Sequence, residues 1–298
     1  MAARSTTLKR KRGYFEGAFQ AMGSPCEMLC ATDDQSVAQQ VLDVVAGEAW
    51  RIEDKFSRYL PGNIVDRINQ SDGEPLDVDE ETANLLDFAD SLHRLSDGRF
   101  DITSGVLRQA WVFDGSDNVP HEAQVRSILA AIGWHKVRWE RPTITLEPGM
   151  QIDFGGVGKE YAVDKAADLG TRRADVPLLI NFGGDIVATA PPEGSQGWQV
   201  GIEALDPSVR KAERVIRLSN GALATSGDAR RYLLKDGVRY GHILDPTSGW
   251  PIAAAPRSIT VAADTCTQAG MLATLAMLAG AGAEAFLSAQ AVQFWIQR

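Results

Sequence analysis

Ile152-Asp153-Phe154-Gly155-Gly156-Val157-Gly158-Lys159 sets the frame for the rest of the chain. An apolar residue and a carboxylate run into a glycine pair, and a helical pattern continues through Ala166, which predicts a strand turning into a glycine-rich helix start. The first N–H groups of a helix have no partner within it and lie at the positive end of its dipole. With Lys159 beside them they suit a phosphate. The segment is not a Walker A loop, because the first glycine is missing at the required spacing and Glu160 stands where Ser or Thr would follow the lysine. Alone, it reads equally as an anion site or as a plain glycine-rich turn.

Upstream, Phe15 to Ala21 and Cys26 to Thr32 flank Gly23-Ser24-Pro25 and predict two strands with a sharp connection. Cys26, Met28 and Cys30 alternate onto one face, which predicts core packing; no other Cys or His is close enough in sequence to suggest zinc. Apolar residues at helical spacing predict a long helix from Asp34 to Phe56, a second from about Asp79 to Leu95, and a third from Pro120 to Ile132. Short strands fit Lys136 to Glu140 and Thr143 to Leu146. Further strands are expected at Leu178 to Phe182, Trp198 to Glu203, Arg214 to Leu218, Arg239 to Leu244 and Ser258 to Ala262. Helices at Gln268 to Leu278 and Ala281 to Ala289 follow. Strands and helices do not alternate strictly, so the expected class is α+β rather than a doubly wound sheet.

The 298 residues, 44% hydrophobic and 23% charged, suffice for a sizeable core in one or two lobes. A net charge of −9 sets the overall field against a nucleic-acid partner. The one basic run, Lys9 to Arg12, reads as part of a solvated tail, with residues 1–14 as that tail and 15–298 as the functional unit. Gly13-Tyr14-Phe15-Glu16 follows it, not the apolar core of an export signal. No stretch is apolar enough for a membrane span, and three cysteines make no disulfide framework. The expected compartment is the cytoplasm.

Three further groups carry polar or nucleophilic residues. Ser96-Asp97-Gly98-Arg99-Phe100-Asp101 is dense in side chains that could hold a polar ligand beside a ring, though by itself a capped loop explains it better. Asn181-Phe182-Gly183-Gly184-Asp185 ends a strand with glycines that admit a close approach. His242, at the end of a strand before Ile243-Leu244-Asp245-Pro246, is placed to be aimed into a cleft. Ser226, His242 and Asp245 invite comparison with a nucleophilic triad, but Thr225-Ser226-Gly227-Asp228 is not a nucleophile elbow.

Taken in order, Ser57-Arg58-Tyr59, Asp97 to Asp101, Asp153 to Asp164, Asn181 to Asp185, Thr225 to Asp228 and His242 to Gly249 resemble the ApbE family of FAD:protein FMN transferases. The resemblance runs from Met22-Gly23-Ser24 through Ala279-Gly280. It implies a two-lobed α+β unit with mixed or antiparallel sheets and FAD in the groove between lobes. Met22, Tyr59, Arg99, Phe100, Asp101, Asp153, Lys159 and Ile243 fall where the family contacts the cofactor. Mg²⁺ would be held by the Gly156 carbonyl and by side chains of the late helix, including Thr274. The implied reaction moves FMN from FAD to a Thr or Ser hydroxyl of a target flavoprotein with release of AMP, and His242 is the candidate to orient or deprotonate that hydroxyl.

One departure bears on the chemistry. The family's metal helix usually reads Ala-Asp-Ala-Leu-Ala-Thr, and this chain has Ala269-Gly270-Met271-Leu272-Ala273-Thr274. Gly270 offers no carboxylate, one helical turn before Thr274. Asp228, Asp245 and Asp264 are the substitutes considered. Gly158 and Glu160, where the family often has alanine and glycine, read as milder departures. Two alternatives to transfer follow: an FAD-binding carrier or regulator with weak activity, and an FAD pyrophosphatase in which water replaces the protein hydroxyl.

Overall fold

The computed structural model describes residues 4–205, 212–228 and 231–298. In chain order its strands and α-helices are β1 (Thr6–Lys11), β2 (Tyr14–Ala21), β3 (Ser24–Cys30), α1 (Gln35–Phe56), α2 (Ile64–Asn69), β4 (Leu76–Asp77), α3 (Glu80–Leu95), α4 (Glu122–Leu129), β5 (Arg138–Glu140), β6 (Thr143–Thr145) and α5 (Gly158–Arg173). There follow β7 (Leu178–Phe182), β8 (Asp185–Ala188), β9 (Trp198–Glu203), β10 (Ala212–Leu218), β11 (Gly221–Gly227), β12 (Tyr232–Lys235), β13 (Val238–Gly241), β14 (Ser258–Ala263), α6 (Cys266–Leu278), α7 (Ala283–Ala289) and β15 (Gln293–Gln297). A 3-10 helix spans Ile102–Gln109. The α+β expectation holds.

An eight-stranded sheet in the order β1-β2-β3-β7-β8-β11-β14-β15 forms the frame, and every neighbouring pair in it is antiparallel. Its side chains alternate between two cores as the period of a strand requires. Leu178, Ile180 and Phe182 of β7 join the core beneath α1 and α5, whereas Leu179 faces the opposite side with Ile186, Leu223 and Trp198. The β9–β10 hairpin covers that second face. The first core runs without a break into the smaller three-stranded sheet, β4-β6-β5, through Val78, Ile144 and Leu146.

Helix α1 begins where Asp34 accepts the backbone N–H groups of Ser36 and Val37, and α3 where Asp79 accepts those of Glu81 and Thr82. Their apolar faces, Val41, Leu42, Val45 and Ile52 on α1 and Leu85, Leu86 and Leu92 on α3, are buried. Cys26, Met28 and Cys30 pack into the first core, and all three cysteines are free thiols. Burial pushes the Cys26 thiol up to about 12 and that of Cys30 to about 11, so neither is a reactive thiolate.

The structure departs from the sequence reading in several places. Lys9, Arg10 and Lys11, expected in a solvated tail, lie on edge strand β1, paired with β2. Ile152 and Asp153 are not a strand, and the helix after them starts at Gly158 rather than at Gly155. The third helix is shorter, Glu122–Leu129, and the strand before His242 ends at Gly241.

Candidate functional site

The turn ahead of α5 is fixed from below. The Phe154 carbonyl accepts from the N–H groups of Val157 (2.9 Å) and Gly158 (2.7 Å), and the Phe154 ring packs edge-on against Phe56 at 5.5 Å. Gly155 and Gly156 are left exposed on its outer side. A Cβ on Gly156 would stand 3.2 Å from Phe100 Cε2, so only a glycine backbone comes this close to that ring without displacing it. Val157, in the N-cap position, offers no capping side chain, and the helix start keeps its anion-seeking character.

Three charged side chains meet at this start. Lys159 Nζ lies 2.5 Å from Asp185 Oδ2, and Asp185, the first residue of β8, is 2% exposed. Burial works against the Lys159 ammonium, but the carboxylates of Asp185 and Glu160 outweigh it and raise its pKa. Burial, joined by Asp185, raises the Glu160 carboxyl above the usual carboxylate range against the opposing pull of Lys159. Glu160 Oε2 is shielded from solvent and has no hydrogen-bond partner.

Helix α6 brings the second half of the site. It is fastened to α5 by Asp164, whose carboxylate accepts the N–H groups of Cys266 and Thr267 at 2.8 Å each and the Thr267 hydroxyl at 2.6 Å. Farther along α6, a Cβ on Gly270 would fall 2.5 Å from Glu160 Cγ and 2.7 Å from Glu160 Oε1. Glu160 therefore occupies the space that a side chain at position 270 would need. One turn on, Thr274 Oγ1 lies 3.3 Å from Ser226 Oγ on β11. The first turn of α5 and helix α6 are thus in direct contact.

Beside the turn, Arg58 forms an ion pair with Asp153 and donates to the Tyr59 hydroxyl at 2.8 Å, with its guanidinium 4.9 Å from the centre of the Tyr59 ring. Tyr59 is 74% exposed, and the ring face away from Arg58 is open to a planar ligand. Asp153 also accepts the Gly155 N–H at 2.9 Å. Burial and the neighbouring Arg58 cation both lower the Arg108 guanidinium from its usual value. Met22, in the β2–β3 turn at φ 51°, donates its backbone N–H to Glu53 at 2.7 Å.

His242 follows β13. Its Nδ1 is shielded from solvent and unpaired. Burial lowers the imidazole to about 4, assisted by Arg231; Lys159 also acts on it, which places it within electrostatic reach of the α5 start. Ile243 lines a cleft with Asp228, Arg239, Pro251 and Ile252 that reaches Met277 of α6. A second cleft opens on the other side of α6, lined by Ser96, Asp97, Arg99 and Leu278.

A model of the ApbE family matches residues 22–295. The chain belongs to the ApbE family. Among its relatives, the FAD:protein FMN transferase of Vibrio cholerae is 31% identical over 83% of this chain and 75% of its own length. That of Klebsiella pneumoniae is 28% identical over 88% and 81%. Among solved structures, the ApbE protein of Thermotoga maritima superposes with a TM-score of 0.83 at 30% identity, covering 95% of this chain and 94% of its own. The flavin transferase ApbE of Vibrio cholerae does so with 0.79 at 26%, covering 99% and 94%.

Within this ApbE chain the expected residues divide. Phe100, Gly156, Lys159 and Thr274 stand around the α5–α6 junction, with His242 in reach of Lys159; Tyr59 and Asp153 adjoin the same turn through Arg58. Asp101 stands apart. One carboxylate oxygen accepts the N–H and hydroxyl of Thr103 at 2.8 and 2.6 Å, and the other accepts the Trp134 N–H at 2.8 Å. These bonds make Asp101 the cap of the 3-10 helix and anchor of its loop, with no oxygen turned to a ligand. Arg99 is exposed at the second cleft.

The substitutes considered for a carboxylate at 270 are mostly spoken for. Asp228 is bound at 2.9 Å by both Arg239 and Arg257, and Asp245 caps the turn that holds Thr247 and Ser248. Asp264 is exposed just ahead of α6. The residues not singled out as ligands are Glu160, Asp185, Arg58 and Ser226. Asp185 and Ser226 lay in segments already noted, whereas nothing in the local sequence signals that Glu160 would lie against Gly270.

Proposed function

We propose that this chain transfers the FMN half of FAD to a Thr or Ser hydroxyl of a target flavoprotein and releases AMP, with Mg²⁺ as the metal. The observation that supports this most directly is the meeting of the exposed Gly155-Gly156 turn, Lys159 and the Thr274 helix at one place. The names of the curated relatives agree with it.

The α5 start holds the diphosphate by its dipole and backbone N–H groups, beside Lys159, whose ammonium Asp185 holds in place. Tyr59 offers an exposed ring surface to a flat part of FAD, whereas Phe100 is buried and only backs the Gly156 turn. The acceptor hydroxyl attacks the FMN-side phosphorus, the bond to the AMP phosphate breaks, and the hydroxyl proton passes to His242. An imidazole held at about 4 is neutral at pH 7, and its Nδ1, though shielded from solvent, has no hydrogen-bond partner to displace.

Mg²⁺ favours oxygen ligands and is commonly bound by one or two carboxylates together with substrate phosphates and water. The donors here match that preference: the Gly156 carbonyl, the Thr274 hydroxyl and the unpaired Glu160 oxygen. Among the described residues no three His, Cys, Asp or Glu side chains form a metal cluster by themselves, so substrate oxygens would complete the shell. When bound, the ion neutralises charge that develops on the diphosphate.

The test incubates purified protein with FAD and Mg²⁺, with and without a target flavoprotein, and follows AMP, FMN and covalent flavin. Transfer gives AMP and covalent flavin only when the target is present. Release of both AMP and FMN without a target would replace this reading by a pyrophosphatase, and intact FAD throughout would replace it by a carrier.

A further inference from the structure

Gly270 and Glu160 are best understood together. At position 270 the chain lacks the side chain that would carry an acid, and the space beside that backbone is filled by Glu160, 110 residues earlier, reaching across from the first turn of α5. The contact is close enough that the two residues exclude each other's alternatives. Any Cβ at 270 would meet Glu160 Cγ, Cδ and Oε1 within 2.9 Å.

We propose that Glu160 supplies, from α5, the carboxylate ligand for a divalent cation that Gly270 of α6 cannot, so that the acid has changed helices while keeping its place in the site. This rests on the flavin-transfer reading above and names the residue through which the metal is held. Two independent features point to it. Position 270 precedes Thr274 by one turn, and side chains four apart on a helix stand roughly 5–6 Å from each other; the Glu160 carboxyl fills the space a side chain at 270 would occupy, on the face that Thr274 shares. Glu160 Oε2 is in addition shielded and without a hydrogen-bond partner.

An unpaired oxygen of this kind is costly unless a partner arrives. Lys159 does not meet that need, because its ammonium is engaged by Asp185 at 2.5 Å. Glu160 also accepts its own backbone N–H at the helix start, while its side chain turns inward against Gly270 of α6.

The experiment measures Mn²⁺ affinity by electron paramagnetic resonance on the full chain saturated with FAD, for the wild type, Glu160→Gln and the exchange Glu160→Gly/Gly270→Asp. FAD affinity from flavin fluorescence and the thermal unfolding midpoint serve as checks that each variant is folded and loaded. Glu160→Gln is expected to weaken Mn²⁺ binding at least tenfold with FAD affinity held within about threefold, and the exchange to restore most of the loss. Gly270→Asp alone, with Glu160 kept, is expected to bind Mn²⁺ no more tightly than the wild type, since Glu160 crowds the added side chain. Unchanged Mn²⁺ affinity in Glu160→Gln, or an exchange variant no better than Glu160→Gln, overturns the proposal. Those results with AMP release intact leave flavin transfer standing, whereas a wild type that binds no FAD sinks the transfer reading itself.

Discussion

Lys159 Nζ and Asp185 Oδ2 are 2.5 Å apart at the point where the first turn of α5 meets the start of β8, and the carboxylate is almost wholly withdrawn from water. Removing one partner of such a pair leaves the other charge buried and uncompensated, at a cost of roughly 3–5 kcal/mol. Lys159→Met should lower stability by an amount of that order in urea unfolding. Lys159→Met/Asp185→Asn should recover part of it, so that the double variant loses well under the sum of the two single losses. Additive losses would mean that the two side chains are held independently.

His242→Asn should leave FAD binding within a few-fold of wild type and slow transfer roughly 10²–10⁴-fold, the range ordinary for loss of a general base. Single-turnover release of AMP with a target protein present reads this directly. An equal loss in FAD affinity would make the ring a binding contact instead.

The same imidazole predicts a pH dependence of stability. Its folded value of about 4 lies below the 6.5 of an exposed histidine, so the unfolded chain binds the proton more tightly. The stability it contributes is fully present above about pH 6.5 and is lost as pH falls towards 4. Unfolding free energies measured from pH 7 to pH 4 should fall more steeply for the wild type than for His242→Asn, which has no proton to take up.

Asp164→Ala should cost roughly 1–2 kcal/mol, because it strips acceptors from the Cys266 and Thr267 N–H groups at the head of α6. Hydrogen exchange should localise the loosening to α6 rather than to the sheet.

Much of this architecture was legible because its signals are local. Asp34 and Asp79 announce their helices as caps, and the Cys26-Met28-Cys30 alternation names the buried face of β3. Strand β11, Gly221–Gly227, was not legible as a strand: its first four residues are buried on both faces and show no polar alternation. Strand β1 was hidden by its basic residues, which tolerate exposure on an edge. Of the site, the Asp153 to Lys159 turn and His242 could be singled out from residue type and spacing. Asp101 misled, because a carboxylate beside a ring in a polar loop looks the same whether it serves a ligand or its own loop's N–H groups. The place of Glu160 depends on how two distant helices approach, and α6 is so uniformly apolar that its pattern does not reveal which side Gly270 presents.

The crowding between Glu160 and Gly270 also constrains how the chain can vary over generations. A side chain added at 270 forces Glu160 to move aside, and Glu160 lost while 270 remains glycine empties that corner of negative charge. Moving from this arrangement to its mirror takes two substitutions, each unfavourable by itself. Across diverging sequences the two sites should therefore be inherited as a single character, and their joint state should sort descendants into lineages that exchange members rarely.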